Sequence, residues 1–215
     1  MNMIQAVIFD IDNTLTKKNS CWTIAEAVGM IIAEDLEIYE RSKSGNVSSR
    51  EIDRELLTLW QRKGLATRSN FENTFTNMEL RDEALDVIDY LKRKKIKVCL
   101  ITGSMDLYAN IIAKRVGADD FYANTPLKFD AQGNVVDLVY QKDQAGLKLN
   151  QFTEFCQKNQ LTPAECMVVG DSENDLLLFL ETKQGIAIRT EAEDKILEPV
   201  AWKIVDNLSE IKQIV

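Results

Sequence analysis

Short apolar runs alternate with helical patterns along most of the chain, and this alternation constrains the fold more than any other feature. The first run, residues 4–9, is rich in Val and Ile and stops at Asp10. Such a run is typical of a strand that is buried on both faces of a parallel sheet. Similar runs occupy residues 97–101, 166–169, 185–188 and, more weakly, 202–205, and helical patterns occupy residues 83–94, 107–116, 147–159 and 172–181. The sequence therefore predicts a doubly wound α/β fold that binds ligands at the carboxyl ends of its strands.

Residues 17–78 interrupt this alternation, because they contain no convincing strand pattern. They are typical of amphipathic helices, one over residues 22–40 and another that begins at Ser48 or Ser49 and reaches about Trp60, with a polar turn at residues 42–46 between them. We expect an inserted helical cap domain over residues 17–78 and an α/β core made of residues 1–16 and 79–215.

A smaller interruption, residues 127–140, carries the polar residues 130–134 between two β-prone stretches. This arrangement is typical of two strands joined by a tight turn. It predicts a small β-hairpin.

The chain contains no histidine, and this excludes several mechanisms. A Ser-His-Asp or Cys-His nucleophile is impossible, so an acid or base near neutral pH must be a carboxylate or another tuned group. The net charge of −8 offers no basic field, so we expect no nucleic-acid partner.

Cysteine usage and hydropathy bear on the compartment. The four cysteines are widely spaced, which is typical of reduced thiols in a cytoplasmic protein. No run approaches the roughly 20 apolar residues of a membrane span, and the first residues lack the features of a signal peptide. We expect a soluble cytoplasmic protein without membrane contact.

Two acidic residues, Asp10 and Asp12, follow the first predicted strand directly, in the order Asp-Ile-Asp-Asn-Thr-Leu-Thr. Because side chains alternate along a strand, both carboxylates would share one face, where their like charges repel each other. Mg²⁺ would remove this repulsion, since it takes carboxylate oxygens and keeps waters and phosphate oxygens as further ligands. An acidic turn that only caps the next helix is the alternative for this motif taken alone.

A second acidic pair follows the run at residues 166–169. Asp171 lies at the end of that predicted strand, and Asp175 lies four residues farther on. If a helix starts near Ser172, both carboxylates can face one pocket and complete a metal site with Asp10. The alternative is that Asp171 or Ser172 only caps that helix.

Two weaker motifs could bind an anion. Thr102 and Gly103 stand where the run at residues 97–101 enters a small-residue turn, so a hydroxyl and exposed N–H groups would be available there. Lys148 lies on the helical pattern of residues 147–159, and a single lysine on a helix is usually a solvated surface charge. Only the other motifs make it a candidate ligand.

The order of these motifs resembles the haloacid dehalogenase superfamily of aspartate-nucleophile phosphatases. More narrowly, it is similar to the branch of phosphoserine phosphatase, which carries a helical cap between the first and second motifs. The similarity covers nearly the whole chain and includes residues 121–124 with the hairpin that follows. It implies a Rossmann-like core and a Mg²⁺-dependent phosphomonoesterase that acts on a small phosphorylated metabolite.

The resemblance also implies a role for each motif residue. Asp10 would be the nucleophile that forms an aspartyl-phosphate, and Asp12 would be the general acid and base. The phosphoryl group would be bound by Thr102, Gly103, Lys148 and Asn174, and the metal site would comprise Asp10, Asp12 through its backbone carbonyl, Asp171 and, through metal-bound water, Asp175.

The positions expected to recognise the rest of the substrate depart from the resemblance. Phosphoserine phosphatases resemble one another in an acidic residue after the first motif and in a phenylalanine and an arginine on the cap. This sequence has Asn19, Ser49 and Leu56 there. A carboxylate for the substrate ammonium and a guanidinium for the substrate carboxylate are thus missing, although Arg50, Glu51 and Arg54 lie close by in the sequence.

Three alternatives stay open on the sequence alone. The protein could be a phosphoserine phosphatase proper. It could be a phosphomutase or phosphotransferase, which passes the phosphoryl group between hydroxyls after the same first step. A non-catalytic phosphate-binding module is the third alternative, although all the expected catalytic side chains are present. The oligomeric state is not predicted.

Overall fold

A computed structural model of the protein describes residues 3–44, 48–190 and 196–215. The strands are β1 Ala6–Phe9, β2 Lys97–Met105, β3 Asp120–Thr125, β4 Leu127–Phe129, β5 Val135–Leu138, β6 Cys166–Gly170, β7 Gly185–Ile188 and β8 Lys203–Val205. The helices are α1 Ser20–Ala27, α2 Ile32–Ser44, α3 Ser49–Gln61, α4 Arg68–Thr76, α5 Ala84–Arg93, α6 Asp106–Val116, α7 Gln144–Asn159 and α8 Leu176–Thr182. Short 3-10 turns cover Pro163–Glu165, Glu173–Asp175 and Leu208–Gln213.

Six strands form one parallel sheet in the order β3-β2-β1-β6-β7-β8. From β1 the chain adds strands toward one edge of the sheet, and from β6 it adds strands toward the other edge. In such sheets the connections diverge at this point and leave a crevice at the carboxyl ends of the two central strands. The doubly wound α/β fold is confirmed. β3 is an additional strand that the apolar pattern did not indicate, because half of residues 120–125 are polar and the first four are only partly buried.

Both faces of the sheet are covered, which explains why the central strand is apolar throughout. On β1, Val7 and Phe9 face the apolar cluster that includes α5 and α6, whereas Ala6 and Ile8 face a second cluster with Phe152 of α7. A strand with helices on both sides reads as a continuous hydrophobic run rather than an alternating one. This burial fixes the direction in which β1 delivers the residues that follow it.

The described part of residues 17–78 contains four helices, α1 to α4, and no strand of the large sheet. The prediction of one helix over residues 22–40 is wrong, because the helix is interrupted between the end of α1 and the start of α2. Gly29 adopts a φ of +78°, and Met30 N–H donates to the carbonyl of Ala25 as α1 ends. In the predicted turn, residues 42–44 belong to α2 and residues 45–47 lie outside the described residues. The division into cap and core stays a prediction.

The predicted hairpin is confirmed, since β4 and β5 pair antiparallel. Its turn is closed by Asp130, whose Oδ1 accepts hydrogen bonds from the backbone N–H groups of Gln132 and Asn134, while Gly133 adopts a φ of +85°. Helix α3 packs on this hairpin, and Gln61 donates to the carbonyl of Val135 at 2.7 Å.

Two boundaries near the sheet edge differ from prediction. Helix α8 starts at Leu176 rather than at Ser172, because the 3-10 turn Glu173–Asp175 precedes it. Strand β2 continues through Thr102 and Gly103 to Met105, with a register shift against β3. In the described part of the chain, none of the helices combines the length and the apolar character needed to cross a bilayer.

Candidate active site

Lys148 of α7 lies between acidic residues that follow β1 and β6, at the carboxyl ends of these strands. Its Nζ is 2.7 Å from Oδ1 of Asp10 and 2.7 Å from Oδ1 of Asp175, and the residue is 1% exposed. Burial alone would lower the pKa of Lys148, but the two carboxylates outweigh it and raise that pKa, so the side chain stays charged. The alternative of a solvated surface lysine is therefore wrong.

Asp10 is delivered to this crevice by β1. Its backbone N–H donates to the carbonyl of Val169 on β6 at 2.9 Å, which extends the parallel ladder to the first residue beyond β1. Burial raises the pKa of the Asp10 carboxyl, and the ammonium of Lys148 opposes this rise. Asp10 thus carries a desolvated carboxylate that a single ammonium partly compensates.

Three carboxylates meet at this point. Oxygens of Asp10, Asp171 and Asp175 all lie within 4.8 Å of one another. Burial, together with the charges of Asp10 and Asp175, raises the pKa of Asp171 to about 8, and burial raises the pKa of Asp175 to about 6. Ionisation of all three would leave an excess negative charge that Lys148 alone does not balance.

The donor set fits a divalent metal ion. All three side chains offer oxygen atoms, the ligand type of hard cations, and Oδ2 of Asp175 is buried without a hydrogen-bond partner. Asp171, the least buried of the three, accepts a hydrogen bond from Thr14 Oγ1 at 3.2 Å, which orients its carboxylate. The residue before Asp171 must be glycine, since a Cβ at Gly170 would overlap the carboxylate of Asp175.

Asp12 has different surroundings from Asp10. Its Oδ1 accepts the backbone N–H of Ser20 at 2.9 Å and its Oδ2 accepts the Ser20 hydroxyl at 2.7 Å. Burial raises the pKa of Asp12, and the hydrogen bonds from Ser20 oppose this rise. The carboxylate of Asp12 is not part of the acidic cluster, and the predicted metal contact through its backbone carbonyl stays a prediction.

The residues expected to bind phosphate lie at the same edge of the sheet. Thr102 is buried, and its Oγ1 accepts the backbone N–H of Ser104 at 3.1 Å. A Cβ at Gly103 would lie 2.7 Å from Oε1 of Gln144, so a side chain there would require the buried Gln144 to move. Asn174 lies in the 3-10 turn beside Asp175 and is partly buried. Their assignment to phosphate stays a prediction.

Sequence reasoning missed several polar residues that surround these carboxylates. Ser20, at the start of α1, and Ser104, on β2, join their hydroxyls beside Asp12. Buried Tyr108 of α6 reaches Thr16, with 3.0 Å between the two hydroxyl oxygens. The sequence signal for Ser104 was its place directly after Thr102-Gly103, whereas nothing local marked Ser20 or Tyr108.

The positions within residues 17–78 that were predicted to recognise the rest of a substrate have other partners. Asn19 is the N-cap of α1, and its Oδ1 accepts the backbone N–H groups of Cys21 and Trp22. Arg50 forms an ion pair with Asp137 of β5 at 2.7 Å and donates to the carbonyl of Leu138. Glu51 completes a capping box with Ser48, Ser49 is the first residue of α3, and Leu56 packs partly buried against the core.

Comparison with curated proteins finds relatives over nearly the whole chain. A phosphoserine phosphatase of Streptococcus thermophilus is 27% identical over 214 residues, which cover 95% of this chain and 96% of that protein. A phosphoserine phosphatase of Lactococcus lactis is 28% identical over 188 residues, which cover 84% of this chain and 82% of that protein.

Solved structures share the fold. A substrate-bound phosphoserine phosphatase complex superposes with a TM-score of 0.77 at 19% identity, and the match covers both chains completely. A phosphoserine phosphatase with a phospho-aspartyl intermediate analogue gives a TM-score of 0.76 at 19% identity, also over both whole chains.

The sequence matches the haloacid dehalogenase-like hydrolase family over residues 4–180. That span begins just before β1 and ends within α8, so it includes every motif residue brought together at the crevice. The predicted resemblance to this superfamily, and within it to the phosphoserine phosphatase-like branch, is confirmed. With Asp10, Lys148 and Asp171 meeting where the strand order reverses, this protein belongs to the haloacid dehalogenase-like hydrolases.

Proposed function

We propose that the protein is a Mg²⁺-dependent phosphomonoesterase that acts on a small phosphorylated metabolite through an aspartyl-phosphate on Asp10. The observation that carries the proposal is the buried ammonium of Lys148, which lies between Asp10 and Asp175 within an acidic cluster. An ammonium beside the nucleophile, together with a divalent cation held by the acidic cluster, would suit a phosphoryl group, which brings its own negative charge. A cytoplasmic location stays part of the proposal.

The reaction divides into two displacements at phosphorus. In the first, a carboxylate oxygen of Asp10 bonds to phosphorus as the ester P–O bond breaks, and Asp12 donates its proton to the departing alkoxide. In the second, Asp12 takes a proton from a water, whose oxygen bonds to phosphorus as the bond to Asp10 breaks. Inorganic phosphate leaves, and both aspartates return to their starting protonation states.

The surrounding side chains divide the remaining work. Lys148 would contact the phosphoryl oxygens and offset their charge, and Thr102 and the N–H of Gly103 would hold the same oxygens from β2. Asp10, the backbone carbonyl of Asp12 and Asp171 would hold Mg²⁺. Bound Mg²⁺ would supply positive charge against the phosphoryl oxygens. No step requires histidine, in keeping with its absence from the chain.

A broad screen with purified protein tests this function. Release of inorganic phosphate from a generic aryl phosphate supports a phosphatase, whereas transfer of phosphate to an added alcohol without net release supports a phosphotransferase or phosphomutase. Binding of phosphate esters without either reaction would favour a non-catalytic module and would contradict the proposal.

Substitution of the general acid and base has a defined expected effect. Asp12→Asn keeps hydrogen-bonding oxygen and nitrogen atoms near Ser20 but cannot transfer the proton, so turnover should fall by about 10²–10⁴-fold, the usual range for general acid-base catalysis. Substrate binding should change little, because Lys148 and the acidic cluster are untouched. Steady-state kinetics measure both quantities, and a turnover near that of the wild type would remove Asp12 from this role.

Phosphoserine is the alternative substrate, because the curated relatives are phosphoserine phosphatases. In this chain Asn19 is uncharged and caps α1, and Arg50 is paired with Asp137, so neither offers an unengaged charge for an amino acid. We expect kcat/KM for phosphoserine to lie within about tenfold of that for the best uncharged small ester, or about 1.4 kcal/mol.

The measurement is a side-by-side steady-state comparison at one pH and one Mg²⁺ concentration. A phosphoserine preference of about a hundredfold or more, near 2.8 kcal/mol, would identify a phosphoserine phosphatase proper. Exposed Arg54 would then be the first cap residue to substitute, since Arg50 and Glu51 already have partners.

A further inference from the structure

Asp12 is connected to β2 by a short chain of hydrogen bonds through two serine hydroxyls. Ser20 donates hydrogen bonds to both carboxylate oxygens of Asp12, one from its backbone N–H and one from its hydroxyl. The Ser20 hydroxyl oxygen is in turn in hydrogen-bond contact with the hydroxyl of Ser104. Ser104 then donates its backbone N–H to Oγ1 of Thr102. Ser20 is 0% exposed and Ser104 is 5% exposed, so water does not compete for these contacts.

The proton positions in this chain follow from counting donors. A serine hydroxyl has one proton, and Ser20 donates it to Oδ2 of Asp12. The contact between the two serines therefore requires the Ser104 hydroxyl to donate to Ser20. Thr102 accepts from Ser104, which leaves its own hydroxyl proton available to a phosphoryl oxygen. Hydroxyl donation therefore runs from Ser104 through Ser20 to Asp12, and Ser104 contacts Thr102 separately through its backbone N–H.

Ser20 is not needed to cap its helix. Asn19 already caps α1, since its side chain accepts the N–H groups of Cys21 and Trp22. The Ser20 hydroxyl is the only side-chain donor that this residue offers, and it is directed at Asp12 instead. Ser20 is buried, does not cap the helix and donates both its N–H and its hydroxyl to one carboxylate. Such an arrangement is typical of a residue that orients that carboxylate.

We propose that Ser20, supported by Ser104, is a positioning residue that fixes the orientation of Asp12 for proton transfer to the leaving group. The proposal rests on the proposed function, in which Asp12 is the general acid. Two donors on different oxygens fix the plane of the carboxyl group, and proton transfer depends on that orientation within a few tenths of an ångström. Because Ser20 begins α1 and Ser104 belongs to β2, the contact also ties the first helix of residues 17–78 to the sheet.

The test uses two aryl phosphates of similar shape that differ in leaving group. 4-Nitrophenyl phosphate releases a stable phenolate and needs little protonation, whereas phenyl phosphate needs a well-placed acid. Since kcat/KM covers the steps up to the first phosphoryl transfer, the change in its ratio between the two substrates, from wild type to variant, reports on protonation of the leaving group. Ser20→Ala removes the hydroxyl and keeps the backbone N–H, and Ser20→Thr restores a hydroxyl.

For Ser20→Ala we expect kcat/KM with phenyl phosphate to fall by about 10–100-fold and with 4-nitrophenyl phosphate by less than about threefold. Ser20→Thr should recover most of the loss, and Ser104→Ala should show the same selectivity with a smaller effect. In the Asp12→Asn background, Ser20→Ala should add no further selectivity, because the group it positions can no longer transfer a proton.

Equal losses on the two substrates, or selectivity that persists on top of Asp12→Asn, would overturn the proposal. If Ser20→Ala does not fold, as judged by its melting curve, the substrate ratio of Ser104→Ala decides: a ratio like that of the wild type overturns it. Asp12→Asn alone separates this failure from failure of the proposed function. If Asp12→Asn lowers kcat/KM equally for the two substrates, Asp12 is not the general acid. If Asp12→Asn lowers kcat/KM more for phenyl phosphate and Ser20→Ala does not, only the positioning role is wrong.

Discussion

Asp10→Asn is expected to abolish turnover, with kcat falling by at least about 10³-fold, because the variant removes the nucleophile itself. Asparagine has almost the same shape, and Lys148 would still contact Asp175, so the fold should persist. The variant should also fail to form a covalent phosphoenzyme. Mass spectrometry after acid quench measures the added phosphoryl group on the peptide that contains Asp10.

Asp89→Asn is a matched control for this prediction. Asp89 lies on α5, its side chain is 66% exposed, and its partner is Arg93 one helical turn away. An exposed pair of this kind contributes little, so activity and phosphoenzyme formation should equal those of the wild type. Wild-type turnover in Asp10→Asn, or a phosphoryl group on another residue, would show that a different nucleophile operates.

Chelation of divalent metal ions is expected to lower the activity by at least about 10²-fold, and added Mg²⁺ should restore it. The reason is the charge balance of the crevice, where Asp10, Asp171 and Asp175 face one ammonium before any phosphate arrives. A dianionic ester would add to this excess unless a divalent cation offsets it. Undiminished hydrolysis in excess chelator would contradict the metal assignment.

The pH dependence of stability gives a second readout of the same site that does not depend on activity. In the folded chain the pKa of Asp171 is about 8 and that of Asp175 about 6, compared with an ordinary value of 3.8. The folded state therefore holds protons that the unfolded state has released, so the stability of chelated protein should fall as pH rises from about 4 to 8.

Mg²⁺ should oppose this loss, because it binds the ionised carboxylates. The increase in melting temperature on adding Mg²⁺ should therefore be larger at pH 8 than at pH 6. Thermal unfolding at the two pH values, with chelator and with Mg²⁺, measures it. An increase that is the same or smaller at pH 8 would show that the cation does not bind at these carboxylates.

The sequence by itself predicted five of the six strands of the parallel sheet and the position of two acidic residues at its edge. A strand that is buried on both faces must be apolar at nearly every position, so it is visible in the sequence as a continuous apolar run such as residues 4–9. Asp10 and Asp171 were found because each follows such a run, and the carboxyl ends of parallel strands meet at one edge. The hairpin was predicted for a similar reason, since its turn residues lie within a few positions of one another.

Local patterns were less reliable where the outcome depended on a single backbone position. The helix predicted over residues 22–40 is interrupted because Gly29 takes a left-handed conformation, which the amphipathic pattern around it does not show. Strand β3 was not predicted because it lies at the edge of the sheet and only half of residues 120–125 are apolar, so they form no continuous apolar run.

Only the tertiary structure decided which polar groups meet. Lys148 resembles any surface lysine in the sequence, and its burial follows from Asp10 and Asp175, which lie 138 and 27 residues away along the chain. The same holds for Arg50, which is engaged by Asp137 from the hairpin. Buried charges and hydroxyls are stable only when partners arrive from distant segments. Residue type and spacing carry no record of such long-range pairing, so packing alone determined it.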